Sequence, residues 1–327
     1  MRLIAHNEER FPKKIRAGKS GKQKVRFQYF EDCYKENAFL AEDIRQTVQN
    51  GVPLSEIAVL FRTNMQPRAL MEYMVSANLA FQTKDRIPDI YEHWIARDFF
   101  TYIRIAQGSD SRADFLSIMN RPKRYIGRDS LPDETVCFDE WMKLYEEQPW
   151  IAERIEKLWY DLKHLSRLSP YAAINYIRRG IGYDDYLAEY AEYRNANKED
   201  FYEVADEILA SAKGYRTFEE WFAHIEEYRQ ELKRLAQEKR RNQNAVTFAT
   251  LHSAKGLEFT KVYLIDVNEG VMPYKKAVLK QDVEEERRLF YVGMTRAKES
   301  LTICSVKKMR GKKVELSRFI KEAGKEP

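Results

Sequence analysis

Two hydrophobic periods divide this chain. Ile57-Ala-Val-Leu-Phe61, Val246 to Thr250 and Lys261 to Val267 are short apolar or β-branched runs, the pattern of strands buried on both faces. Lys24 to Phe30 alternates and predicts another strand. Tyr34 to Asn50 repeats at helical spacing, with Ala38, Phe39, Ala41, Ile44 and Val48 on one side and Gly51 as its stop. A further helix is expected from about Pro67 to Ala77, and another across Glu284 to Thr295, where Leu289, Val292 and Gly293 share a face. Strands alternating with helices predict a parallel α/β sheet, with Val246–Thr250 beside Ile57–Phe61.

The texture then changes. Tyr91 to Ala106 predicts a helix rich in aromatics, which packing accounts for, and Arg112 to Met119 a short one. From Leu131 to Arg241 strand-like runs disappear and helical periodicity takes over, as in Ile151, Ile155, Leu158 and Leu162. Thr217-Phe-Glu-Glu220 is a capping box ahead of Trp221, Phe222, Ile225 and Tyr228. Glu238 to Asn244 is a polar exit linker. The expected organisation is one α/β domain from 1–118 and 243–327, interrupted by an all-α domain over 119–242.

Composition bounds the class. The chain has 327 residues, 44% hydrophobic and 33% charged, enough for about two packed domains. No apolar run approaches the roughly 20 residues of a membrane span, and the N-terminus lacks a signal-peptide apolar core. Three cysteines at no metal-ligand spacing fit a reducing compartment without a disulfide framework. A net charge of +5 permits a polyanionic partner without demanding one. Eight Lys and Arg residues and no acid lie between Arg10 and Arg26, the composition of a solvated linker. Within that run Gly18-Lys19-Ser20 imitates the end of a phosphate-binding loop, but position 13 is lysine where the pattern needs glycine, and no strand precedes it.

Candidate chemistry concentrates in polar loops at strand ends, where α/β folds keep their sites. Thr250-Leu-His-Ser-Ala-Lys-Gly-Leu-Glu-Phe259 and Glu284-Glu-Glu-Arg-Arg-Leu-Phe-Tyr-Val-Gly-Met-Thr-Arg-Ala297 resemble motifs of the second RecA-like domain of the UvrD/Rep family of superfamily 1 DNA helicases. Phe11-Pro-Lys-Lys-Ile15, Phe61-Arg-Thr-Asn-Met-Gln-Pro-Arg68 and Asn120-Arg-Pro-Lys-Arg-Tyr-Ile-Gly127 are similar to further stretches of that family. Two departures stand out: Phe61 replaces a tyrosine, and Tyr125 replaces a glycine.

The resemblance implies a fold, a reaction and a set of roles. The fold is a RecA-like, P-loop-NTPase-type parallel sheet domain with an all-α insertion. The activity is ATP-dependent 3′ to 5′ DNA unwinding in repair or replication, in a bacterial cytoplasm, with ATP and Mg²⁺ as cofactors. Phe61 is expected to stack on adenine, Arg62 and Arg296 to face the γ-phosphate, and Glu258 to accept from the ribose. Thr250, His252, Lys255, Gly270 and Met272 are expected at single-stranded DNA, though His252 alone also suits a satisfied structural histidine. Lys123, Arg124 and Gly127 are expected near duplex backbone, unless both cations are simply solvated or pair with acids in the insertion. No phosphate-binding loop and no acidic Mg²⁺ motif occur in these residues. The chain is therefore expected to be the C-terminal part of a helicase, a fragment or split product, partnered by an N-terminal RecA-like domain and inactive as an ATPase alone. The other expectation is a stand-alone nucleic-acid- or partner-binding module without a motor.

Overall fold

The computed structural model describes residues 3–8, 24–237 and 244–324. Most of the basic run, including Gly18-Lys19-Ser20 and Phe11–Ile15, lies outside them, as does all but the end of the Glu238–Asn244 linker. The chain opens with β1 (Lys24–Asp32), α1 (Cys33–Gln49), β2 (Ile57–Phe61), α2 (Arg68–Ser76) and β3 (Phe81–Thr83). A helical stretch follows: α3 (Trp94–Ala106), α4 (Arg112–Ile118), α5 (Phe138–Lys143), α6 (Pro149–Leu165), α7 (Pro170–Arg179), α8 (Tyr183–Tyr193), α9 (Lys198–Ser211) and α10 (Phe218–Gln237). The α/β pattern resumes with β4 (Val246–Thr250), β5 (Phe259–Leu264), α11 (Lys280–Met294), β6 (Ala297–Met309), β7 (Lys312–Lys313) and α12 (Arg318–Glu322). Among the described residues, no helix is long and apolar enough to cross a membrane.

One compact unit comprises Met1–Pro88 and Tyr228–Pro327. Its sheet runs β1-β6-β5-β2-β4-β3, parallel throughout, with β7 folded back antiparallel on β6. The expected neighbours pair: Ala58 aligns with Thr247 and Phe61 with Thr250. All five residues of β2 are buried, as a central parallel strand requires.

Successive strand residues point to opposite sheet faces, and the two faces differ in chemistry. Val262 and Leu264 of β5 join an apolar core with Ala249, Leu289, Phe290 and Phe319, against which α11 lies. Lys261 and Tyr263 point the other way, toward α1. There Asp43 pairs with Lys261 Nζ at 2.6 Å and accepts from Tyr263 OH at 2.6 Å and Arg26 Nη2 at 2.8 Å. Burial works against the Asp43 charge, but these three donors outweigh it and hold the carboxyl below its usual range. The buried side of α1 therefore carries Glu36, Asp43 and Thr47 beside Leu40, Ala41 and Ile44, while Val48 is exposed. Hydrophobic period alone placed Val48 inside; the charged partners on the sheet turn the helix otherwise.

The second unit is Asp89–Glu227. It begins some 30 residues before the expected boundary at 119, because α3 buries its aromatic face among helices. Trp94 meets Tyr186, Tyr190 and Phe201, and Phe100 meets Trp221 and Phe222, with ring centroids 5.0–6.4 Å apart. The helix carrying Trp221 starts as expected, with Thr217 Oγ1 accepting from Glu220 N at 3.3 Å. Glu220 reaches back to Arg216 N at 3.0 Å, one residue short of a closed capping box.

Gly293 sets how closely α11 approaches the sheet. A Cβ there would overlap Leu251 Cδ2 and stand 3.3 Å from Leu264 Cδ2. A larger side chain gains helix propensity but overpacks the core, and the second effect dominates for a branched residue. Gly293→Val is expected to lower unfolding stability by about 1–3 kcal/mol, read as a shifted denaturant midpoint at unchanged slope.

Candidate functional site

The parallel register separates the sequence motifs into two groups. Ile57 aligns with Lys261 and Leu60 with Leu264, while Phe259 aligns with Ala297. Arg62, Thr250 and Asp266 therefore stand at the carboxyl edge of the sheet, and Glu258 and Arg296 at its amino edge. At about 3.3 Å per residue the two levels are roughly 25 Å apart along the strands. The loop 251–258 crosses from one edge to the other.

At the carboxyl edge, Arg62 is taken by a carboxylate. Its Nε donates to both Glu286 oxygens at 3.0 Å and its Nη2 to Oε1 at 2.8 Å. Its guanidinium lies 5.1 Å from the Tyr274 ring centroid, and Glu286 also accepts from Tyr274 N at 3.0 Å. Arg62 is thus fixed within the fold, far from Arg296, which corrects the expectation that both arginines face one phosphate. Phe61 is 1% exposed, with its ring against Phe248, so it offers no face to an adenine. Met272 is buried in the core, so its side chain is not available to DNA either. Gly270 makes a left-handed turn at φ +85°, and its carbonyl accepts from Lys275 N at 2.9 Å. Asp85 accepts from Thr250 N at 2.7 Å, from Thr250 Oγ1 at 3.3 Å and from Ser253 Oγ at 2.5 Å, so the Thr250 hydroxyl is already engaged. His252 is exposed and has no side-chain hydrogen bond to a described residue, which removes the reading of a satisfied core histidine.

A buried acid pair supports this edge. Asp266 N donates to Glu36 Oε1 at 3.2 Å, and Asp266 accepts from Cys33 Sγ at 3.6 Å and from Gln66 Nε2 at 3.4 Å. Gln66 Oε1 in turn accepts from Arg62 N and Thr63 N, both at 2.8 Å. The amide of Gln66 therefore clasps the Arg62 loop to the acid pair. Burial, then the neighbouring Asp266 carboxyl, pushes Glu36 well above the usual carboxylate range; burial also raises Asp266. Cys33, Glu36 and Asp266 offer the one set of three cation-type ligand atoms among the described residues, all within 4.8 Å of one another.

At the amino edge, Arg296 has no carboxylate partner among the described residues. Nε donates to Val292 O at 2.9 Å, Nη1 to Leu257 O at 3.1 Å and Nη2 to Thr295 Oγ1 at 3.0 Å. An arginine has five N–H donors, so two remain unused on a half-buried, pre-oriented fork. The contact to Leu257 O ties the arginine to the residue preceding Glu258. Glu258 and Lys255 are exposed, with no ion pair or side-chain hydrogen bond to any described residue. Gly256 turns the loop between them at φ +85°.

In the helical unit, the loop 120–127 turns Arg124 inward. Arg124 is 7% exposed; Nη1 donates to the carbonyls of Ile118, Met119 and Pro122 at 3.0–3.3 Å, and Nη2 to Tyr102 OH at 3.1 Å. It braces the loop and is not available to a phosphate. Gly127 has ordinary backbone at φ −68°, whereas Tyr125 has φ +60°. The left-handed residue is thus the tyrosine, at a cost of about 1–2 kcal/mol for a side chain of this type. Lys123 is exposed, its ammonium 4.6 Å from the Tyr125 ring centroid.

Comparison with known proteins agrees with the motifs. The family model for the UvrD-like helicase C-terminal domain matches residues 1–308. The chain belongs to this family. It is 29% identical over 352 residues to the ATP-dependent DNA helicase PcrA of Staphylococcus epidermidis, covering 98% of this chain and 46% of that protein. It is 28% identical over 333 residues to PcrA of Bacillus subtilis, covering 93% and 44%. It is 27% identical over 352 residues to the ATP-dependent DNA helicase Rep of Salmonella typhimurium, covering 98% and 51%. The chain spans about half the length of these relatives.

Within this UvrD-like domain, sequence reasoning passed over Glu286, Gln66 and Asp85. The first two carried a signal, since both lie inside quoted motifs. Glu286 falls three and seven residues before Leu289 and Gly293, on the inward face of α11. Asp85 lies in an unpatterned Lys-Asp-Arg stretch and had none.

Two outcomes test this geometry. A folded-state pKa raised above the unfolded value means that Glu36 binds more protons folded than unfolded. Stability from this group is full below the unfolded value and falls as pH rises toward the folded one. Glu36→Gln removes that slope, so wild type should lose stability relative to the variant as pH rises from about 5, by at most about 1.4 kcal/mol per pH unit; parallel stability–pH curves would count against the raised value. Arg124→Ala strands buried carbonyls and is expected to cost about 1–3 kcal/mol, while Lys123→Ala stays within about 0.5 kcal/mol, both measured by chemical denaturation.

Proposed function

We propose that this chain is the C-terminal portion of an ATP-dependent 3′ to 5′ DNA helicase, with its amino sheet edge serving nucleotide and its carboxyl edge serving single-stranded DNA. The observation that carries the nucleotide assignment is the Arg296 fork. It is half-buried, held by two carbonyls and a hydroxyl, free of any carboxylate, and beside the exposed Glu258. A planar, permanently charged guanidinium with two spare donors suits the charge that develops on a transferring phosphoryl group. Glu258 suits a ribose hydroxyl.

ATP hydrolysis also needs a phosphate-cradling loop and carboxylates for Mg²⁺. The cluster of Cys33, Glu36 and Asp266 does not fit the metal's place, since it lies at the opposite edge with both acids buried. In this reading an N-terminal RecA-like domain supplies the metal ligands and the phosphate loop, and this chain supplies Arg296 and Glu258. At the carboxyl edge, His252 and the Gly270 turn are the groups left open to a strand; Lys255, further along the crossing loop, adds a cation. The names of the relatives, all ATP-dependent DNA helicases, support the same reading.

In the whole helicase, Arg296→Ala is expected to cut DNA-stimulated ATP turnover by roughly 10³-fold or more, the scale of a lost arginine finger. Arg296→Lys should recover little, since a point charge lacks the fork. Wild-type turnover in the alanine variant would sink the assignment.

A further inference from the structure

Resting on the reading of the chain as DNA-binding, we infer that Tyr125 and Trp150 form a stacking platform for an unpaired nucleobase, with Lys123 and Arg154 serving the adjoining phosphates. Tyr125 is 56% exposed and Trp150 49%, unusual for two large rings that touch. Their centroids are 6.4 Å apart at 67°, an edge-to-face pair at the surface of the helical unit. Lys123 Nζ lies 4.6 Å from the Tyr125 centroid; the Arg154 guanidinium lies 5.2 Å from that ring and 4.9 Å from Trp150. Among the described residues neither cation has a carboxylate partner. Arg154 donates instead to the Arg124 carbonyl at 3.1 Å.

The loop beneath is braced from within. Asn120 Oδ1 accepts from Arg124 N at 3.2 Å and Ile126 N at 3.1 Å, its Nδ2 donates to Ile126 O at 2.8 Å, and buried Arg124 fills the turn. Exposed rings on a rigid loop stack at little entropic cost. Aromatic faces beside unneutralised cations are what single-stranded nucleic acid needs, because every base has a π-face and every linkage a charge. A duplex backbone would use the cations and leave the rings idle. A base settling on Tyr125 displaces the Lys123 ammonium from the ring toward a phosphate. The backbone conformation adds an independent point: φ +60° suits glycine, so a tyrosine here sacrifices local stability to present its ring.

The test uses an oligothymidylate of about sixteen nucleotides and an abasic strand of equal length. Affinities are measured by fluorescence anisotropy for wild type, Tyr125→Gly and Tyr125→Phe. Wild type is expected to prefer the base-bearing strand about 5-fold or more; Tyr125→Phe keeps the preference and Tyr125→Gly loses it. Tyr125→Gly should melt no lower than wild type, since glycine suits the left-handed position, which separates lost stacking from lost folding. Equal affinity of wild type for the two strands, or an undiminished preference in Tyr125→Gly, overturns the platform; a surface meant for protein would give that result. If DNA binds but the preference is absent, only the platform falls. If neither strand binds, the DNA reading falls with it.

Discussion

The absence of a side chain at Gly293 governs where the functional groups of the α/β unit can be. It lets α11 settle on Leu251 and Leu264, the first residue after β4 and the last residue of β5. Everything α11 carries is then fixed relative to the sheet. At its middle it brings Glu286 to Arg62; just past its end it brings Arg296 onto the carbonyl of Leu257. Leu251 and Leu257 bracket the crossing loop, so the same close approach fixes the path of His252, Lys255 and Glu258. A helix standing off by the width of a methyl group would loosen all of these contacts, because core packing tolerates no such gap.

The polar interior of the unit follows from the same layering. The α11 face of the sheet is apolar, and the α1 face is not. Burying Asp43, Lys261 and Tyr263 is tolerable because each charge or hydroxyl finds a partner within 2.6–2.8 Å. Among the described residues Glu36 and Asp266 have no cation so close, and burial raises both carboxyls above their usual range. That difference in partners accounts for the opposite directions of the shifts at Asp43 and at this pair. The Gln66 amide bridges Asp266 to the Arg62 loop with a neutral donor.

The fold was legible because period and punctuation agreed. Short buried runs, a stop at Gly51 and the return of strands at Val246 specify a parallel sheet interrupted by helices, and the register bears this out. The start of the helical unit was not legible, since α3 has the same period whether it packs on a sheet or on other helices. The side of α1 was misread for a related reason: periodicity counts apolar residues and is blind to polar ones that bury in pairs. At the candidate site the motifs were found, but their spacing along the chain said nothing about which sheet edge each would reach. Arg62 visibly follows the predicted strand Ile57–Phe61, but the strand that begins at Ala297, right after Arg296, was not predicted. Only the register of that strand places the two arginines at opposite edges. Arg124 and Tyr125 failed similarly, because Lys-Arg beside a glycine reads as a surface turn, whereas here the arginine turns inward and the tyrosine takes the left-handed backbone.

The separation of the two edges has a mechanical consequence within this unit. Glu286 and Arg296 are ten residues apart on or just beyond one helix, about 15 Å at 1.5 Å per residue. A packed helix does not compress, so a displacement imposed on the Arg296 end is transmitted to Glu286, and through it to Arg62 and Tyr274. The crossing loop provides a second connection, since Leu257 receives Arg296 and Thr250 is held by Asp85. The two connections differ in what they carry. The helix is set by the close approach at Gly293, while the loop turns at Gly256, is pinned by buried Leu251 and Ala254, and carries exposed side chains at His252, Lys255 and Glu258. The open polar groups therefore stand on a loop whose path the core fixes, so they are presented outward while the paired charges of Arg62 and Glu286 stay within the fold.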